Sequence, residues 1–204
     1  MRIGSTVVED IFSRAGAYLQ GHFLLSSGMH SPFYLEKFQV LQWPQETERL
    51  CQSIADAARG IGVQTVAGPT TGGIILAHEV ARQLGVRAVY AERAASGRGR
   101  ELRRGFRLTP GERVLVVDDI MSTGGSVHET IDAVRENGGE VVGIGVLVDR
   151  SDGQATFDGL PIIALWDVSI PTYAPDACPQ CAQGTPLVKP GTTPATTPAQ
   201  VLNA

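Results

Sequence analysis

VLVVDDIMSTGGS, residues 114–126, starts as an apolar run, breaks into two adjacent acids and ends in small hydroxylated residues and glycines. Val114–Val117 reads as a buried strand. Asp118 and Asp119 stand at its mouth, and a tight turn follows. Val127, Ile131 and Val134 then recur at helical spacing until Asn137-Gly138-Gly139 stops the helix, and VVGIGVLVD (141–149) is the next apolar strand. The same order occurs upstream: VQTVAG (63–68), the turn GPTTGG (68–73), a helix through Ile75, Val80 and Leu84 ending at Gly85, then VRAVYAE (86–92). Continuous apolar strands alternating with helices predict an α/β fold with a mostly parallel sheet covered on both faces. Ligands of such sheets bind at the carboxyl ends of the strands, where both turns and the acidic pair fall.

The rest of the chain bounds this reading. With 204 residues, 43% of them apolar, it is long enough for one catalytic domain with a substantial core. A formal net charge of -4 argues against a nucleic-acid surface. No apolar run reaches the roughly 18 residues of a membrane span, and the N-terminus lacks the charged-then-apolar order of a secretory signal. A soluble, cytoplasmic protein is expected. Val7, Val8, Ile11, Phe12 and Ala15 predict a helix over about 5–20, and Pro44 opens a second, with Leu50, Ile54 and Ala58 on one side and Gly60 near its end. RAASGRGRELRR (93–104) is too polar for core and reads as a loop over the site or a solvated hairpin. From Gly184 the composition turns to Thr, Pro and Ala, and a mobile tail over 184–204 is expected.

Three cysteines, Cys51, Cys178 and Cys181, are too few for a disulfide framework and suit a reducing compartment. Cys178-Pro-Gln-Cys181 has the spacing of half a zinc site, but no second Cys or His pair stands nearby in sequence, and the segment reads as a turn. His22 and His30 are expected to pack or cap turns, while His78 and His128 fall on helices.

Ser122, Thr123, Gly124, Gly125 and Ser126 form a phosphate cradle: backbone N–H groups, hydroxyls and a helix N-terminus converge there. Carboxylates repel phosphate but accept hydrogen bonds from sugar hydroxyls, so Asp118 and Asp119 beside the cradle point to a ribose 5-phosphate. The GPTTGG turn, with Thr71 and Gly72, is placed to take a diphosphate. A P-loop is excluded because neither lysine, Lys37 or Lys189, follows a glycine. Dinucleotide fingerprints fail as well: Gly60-Ile61-Gly62 precedes a strand, and Gly143-Ile144-Gly145 lies inside one.

These residues resemble the type I phosphoribosyltransferases, whose phosphoribosyl diphosphate motif is similar to VLVVDDIMSTGGS. Over about residues 5–185 the chain resembles the orotate phosphoribosyltransferases, in the form found in Thermus-like bacteria, through GHFLLSSGMHSPFYLEK, GPTTGG, YAER, LRRGF, LVDR and CPQC. The resemblance implies one domain over 1–183 with a small N-terminal hood (about 1–42), a core (about 43–170) and a mobile active-site loop. It implies transfer of ribose 5-phosphate from phosphoribosyl diphosphate to orotate in pyrimidine biosynthesis, with Mg²⁺ held mainly through the substrate, in a homodimer. Asp118 and Asp119 would meet the ribose hydroxyls. Ile120, Met121 and Ser122–Ser126 would line the 5-phosphate, with Arg93, Thr71 and Gly72 on the diphosphate. Ser122, Arg150, Tyr34 and Lys37 would hold orotate, with Phe33 as a further aromatic wall. Many relatives carry lysines at the positions of Ser26 and Gly72, and a lysine and histidine in the loop. Here the loop offers Arg98, Arg100, Arg103 and Arg104, so Arg103 and Arg104 are expected to stabilise the departing diphosphate, across the dimer, without donating a proton. Two readings stay open: transfer to another base such as uracil or a purine, and a non-catalytic sensor of phosphoribosyl diphosphate. Arg93 and Arg150 each follow an acid, so a local salt bridge is the alternative to a ligand role.

Overall fold

The computed structural model describes residues 5–25, 27–190 and 200–201. The elements are α1 (Ser5–Arg14), β1 (Tyr18–Leu24), β2 (His30–Leu35), α2 (Phe38–Leu41), α3 (Pro44–Ala58), β3 (Thr65–Pro69), α4 (Gly72–Leu84), β4 (Arg87–Arg93), β5 (Arg100–Leu102), β6 (Arg113–Met121), α5 (Gly125–Glu136), β7 (Glu140–Asp149), β8 (Ile162–Asp167), α6 (Pro179–Ala182) and β9 (Gln200–Val201). A six-stranded sheet runs in the order β5-β4-β3-β6-β7-β8, and β1 is flanked by β2 and β9 in a smaller sheet. All large-sheet pairs are parallel except β4–β5. The expected parallel α/β sheet is present.

Alternation along β6 divides the core. Leu115 and Val117 face α3 and α4 through Leu50, Ile54, Leu76 and Val80, whereas Val114 and Val116 face α5 through Val127, Ile131 and Val134. Each such fully buried side chain contributes about 1.5–3 kcal/mol of transfer free energy. Pro44 occupies the first turn of α3, and α4 ends at Gly85 in the left-handed conformation (φ 71°).

Three expectations change. The first helix stops at Arg14 instead of about residue 20, because Gly16 turns at φ 65° and residues 18–24 become β1. That helix also belongs to the main core, not to a separate hood: Val8, Ile11 and Phe12 are buried, and Phe12 lies 5.7 Å from Trp166 of β8. The tail is ordered further than its composition suggests. Leu24 donates its N–H to Val188 O at 2.8 Å, Val188 donates to His22 O at 2.8 Å, and Gln200 pairs with Gln20. Unmet donors and acceptors on the edge of β1 recruit that segment. The remaining tail residues, 191–199 and 202–204, lie outside the described residues, as does Ser26.

Candidate active site

Strand pairing opens the site. β3 follows β6 only from Thr65↔Val114 to Ala67↔Val116, whereas β7 follows β6 on to Met121↔Asp149. Past Val116, β6 therefore loses its neighbour on the β3 side, and a crevice opens where the sheet's connections reverse direction. Asp118 and Asp119 stand at that crevice, each 5% exposed.

Consecutive strand residues point to opposite faces, so the two acids diverge. Asp118 turns to the α5 side, where its Oδ2 accepts the Ser126 hydroxyl at 2.5 Å and its Oδ1 accepts the Asp119 N–H at 2.8 Å. Asp119 turns to the other side, where Lys37 Nζ lies 3.4 Å from its Oδ1, which also accepts the Ile120 N–H at 2.7 Å. Burial and the charge of Asp119 raise the Asp118 carboxyl to about 6. Burial also raises Asp119, against the opposing pull of Lys37. Burial by itself would lower the Lys37 ammonium, but Asp119 outweighs it and the net shift is upward.

The turn after β6 reaches α5 through Gly124, which adopts φ 76° where a β-carbon would come within 2.8 Å of the Phe157 ring. Ser122, Thr123 and Gly125 are exposed at the end of α5, as a phosphate cradle requires. Ser126 differs: its hydroxyl proton goes to Asp118. Ile120 packs against the α3/α4 core and Met121, 1% exposed, is buried on the α5 side, so neither side chain is free for a ligand. Across the crevice, a β-carbon on Gly72 would overlap Asp119 Oδ2. A side chain at this position would require the Asp119 carboxylate to turn away.

Beside the cradle lies a cavity of about 960 Å³ lined by Tyr34, Ser122, Thr123 and Arg150, together with Ser151, Thr172 and Lys189. Among the described residues no carboxylate pairs with the Arg150 guanidinium, whose pKa burial pulls down. The local salt bridge considered for Arg150 does not form. Nor does Arg93 pair with the acid it follows: its Nη1 lies 3.6 Å from Glu129 Oε1 of α5, while Glu92 is taken by Arg104. Tyr34 joins cavity and crevice, since its hydroxyl, raised mainly by burial, feels Lys37, Asp119 and Arg150. Phe33 is not a cavity wall, because it stacks on Tyr18 at 5.2 Å.

Residues 93–104 form the hairpin alternative: Arg93 faces Arg100, and Ala91 faces Leu102. Arg104 is engaged by Glu92 at 2.9–3.0 Å on the surface, and neither it nor exposed Arg103 lines the cavity. Arg100, only 7% exposed at its side chain, was not singled out among the loop arginines. Its Nη1 donates to Thr70 Oγ1 at 3.0 Å and its Nε lies 3.2 Å from Glu129 Oε2, so it braces the Thr70–Thr71 turn. Alternation along REL hints at one inward residue, but only the sheet shows which. Lys189, which the composition places in the tail, lines the cavity as well.

A family model described as the phosphoribosyl transferase domain matches residues 38–169. Over 184 residues the chain is 55% identical to an orotate phosphoribosyltransferase of Desulforamulus reducens, covering 90% of this chain and 95% of that one. It is 50% identical, with the same coverage, to an orotate phosphoribosyltransferase of Caldanaerobacter subterraneus. The chain belongs to the orotate phosphoribosyltransferase family. A crystal structure of orotate phosphoribosyltransferase from Aeropyrum pernix matches with a TM-score of 0.69 at 27% identity, covering 79% of this chain and 93% of that one.

Proposed function

We infer that the protein transfers ribose 5-phosphate from phosphoribosyl diphosphate to orotate, giving orotidine 5-monophosphate and diphosphate in pyrimidine biosynthesis. The observation that carries the choice of base is the unpaired Arg150 guanidinium in the cavity beside the cradle. Among the described residues no carboxylate reaches ion-pair distance of this planar fork, Asp152 acting on it only from further off, and such a fork suits an acceptor that brings its own carboxylate; uracil and the purines bring none. Tyr34 flanks the flat base, and the N–H groups and hydroxyls at Ser122–Gly125 take the 5-phosphate. Asp118 and Asp119 accept from the ribose hydroxyls over the end of β6, with Lys37 balancing Asp119. Substitution at the anomeric carbon then builds positive charge on the sugar while negative charge leaves with diphosphate, and the buried carboxylates stabilise the former.

Mg²⁺ fits this chemistry: Asp118 and Asp119 supply the hard oxygen donors it prefers. Ser126 and Lys37 already face those oxygens, so the ion would be held chiefly by the substrate's diphosphate. Bound there, it would supply neutralisation of charge on the leaving group. The hairpin arginines, Arg93, Arg103 and Arg104, lie outside the cavity and reach diphosphate on closure, acting across a homodimer. A cytoplasmic location follows from the need for phosphoribosyl diphosphate, whose charge keeps it from crossing membranes. Incubation with phosphoribosyl diphosphate, Mg²⁺ and a panel of bases, following diphosphate release, tests the reading. Release with orotate is expected; release with uracil or a purine and none with orotate would overturn it.

A further inference from the structure

The two histidines expected to pack or cap turns and the cysteine pair read as a turn come together far from their places in the chain. β1 supplies His22, β2 supplies His30, and the C-terminal turn with α6 supplies Cys178 and Cys181; one ligand atom from each lies within 4.8 Å of all the others. We propose that His22 Nε2, His30 Nδ1, Cys178 Sγ and Cys181 Sγ bind one Zn²⁺ ion that clips the small hairpin to the C-terminal segment.

The distances have the right scale. His22 Nε2 is 2.9 Å from His30 Nδ1, Cys178 Sγ is 3.4 Å from His22 Nε2, and Cys181 Sγ is 3.3 Å from His30 Nδ1 and 3.7 Å from His22 Nε2. Zinc bonds of about 2.0–2.1 Å to nitrogen and about 2.3 Å to sulfur give tetrahedron edges of about 3.3–3.8 Å. A small outward movement of the two rings admits the ion. Two thiolates and two imidazoles in tetrahedral order select zinc over magnesium or calcium, which prefer oxygen.

The surroundings already orient the ligands. Nδ1 of His22 lies 2.8 Å from Thr185 O. A carbonyl only accepts, so Nδ1 carries the proton and the Nε2 lone pair faces the cluster, the orientation that metal-binding histidines take when the other ring nitrogen donates to a carbonyl. His30 is pinned by two 2.8 Å backbone bonds with Tyr173. Gln180, between the cysteines, donates its side-chain amide to Gly21 O at 2.5 Å. Three of the four ligands are buried, with solvent reaching only Cys181. Four protein ligands leave no open position, so the site is structural and does not activate water.

Its consequence reaches the active site through the chain that leaves it. Thr185 touches His22, Val188 pairs with β1, and Lys189 and Pro190 line the base-side cavity. The clip therefore fixes one rim of that cavity.

The test uses the full chain, purified without a histidine tag and desalted, with zinc counted by mass spectrometry. About one zinc per chain is expected, with near none in the Cys178→Ser/Cys181→Ser double variant. Protein stripped by chelation and reloaded with cobalt should show thiolate-to-cobalt charge-transfer bands and intense tetrahedral d–d bands, and Zn²⁺ should raise its melting temperature in a concentration-dependent way. Should the double variant fail to fold, the stripped natural chain and the single Cys181→Ala variant carry the same comparison. No more zinc in the natural chain than in the variant, a Cys178–Cys181 disulfide in freshly purified metal-free protein, or a cobalt spectrum without thiolate bands would each overturn the proposal.

Discussion

The carboxyl edge of the large sheet and the histidine–cysteine cluster on the small sheet are both dense polar groupings in buried surroundings, yet they are assembled in opposite ways. At the edge, Asp118 through Ser126 are nine consecutive positions at the end of one strand and the start of one helix. In the cluster, His22 and Cys181 lie 159 residues apart. Local chain geometry builds the first, so a sequence pattern carries it. Folding of the two chain ends onto each other builds the second, so neither half signals the whole. The edge moreover keeps an unpaired cation, Arg150, facing open space, as a substrate site requires, whereas the cluster directs its ligands at one another.

Breaking the edge should give the largest effect. Arg150→Ala should lower kcat/KM for orotate by about thirtyfold or more, since truncating one partner of a desolvated charge pair costs about 2–5 kcal/mol. Affinity for phosphoribosyl diphosphate, measured by calorimetry, should change little. Equal losses for both ligands would assign Arg150 to the scaffold.

Ending the chain after Gly184 should have an intermediate effect that sharpens the contrast. The cut spares all four cluster ligands but removes Thr185 O from His22 and the Val188 pairing with β1. Zinc affinity, read by competition with a chelating dye, should weaken about ten- to a hundredfold, as loss of an orienting partner does. The melting temperature should fall by several degrees. Unchanged values would show that the composition of the C-terminal segment, and not its pairing, describes its contribution.

The smallest effect concerns stability at the edge and depends on pH. Asp118 is raised to about 6, above its unfolded value near 4, so the folded state holds its proton more tightly. The stability that Asp118 contributes is fully present below about pH 4 and is lost as pH rises through about 6. Without ligands, Asp118→Asn should remove that loss, on the order of 3 kcal/mol, raising the melting temperature at pH 8 by several degrees and leaving it nearly unchanged at pH 4, while turnover falls. Equal gains at both pH values would mean that the charge of Asp118 is not what strains the edge.

How much was legible can be followed residue by residue. The strand, turn and helix around Val114–Ser126 were readable because periodicity, glycine punctuation and hydroxyl placement all act within a few residues. The directions of the two acids follow from strand alternation, but their partners do not: Ser126 is near in sequence, whereas Lys37 and Gly72 arrive from other elements. Arg100 resembled its neighbours Arg98 and Arg103, and only the β4–β5 register turned it inward beneath Thr70. The Thr- and Pro-rich composition after Gly184 hid an edge strand's demand for partners at Val188.

The sequence by itself determined the alternation of strands and helices, the parallel sheet and the phosphate-binding turn, because apolar periodicity and backbone preference are properties of neighbouring residues. Tertiary structure alone decided where β3 parts from β6, which cation faces the open cavity, and that His22 and His30 meet Cys178 and Cys181. Those outcomes depend on register and on closing long loops, and nothing local to any one residue encodes the distance to a partner more than a hundred positions away.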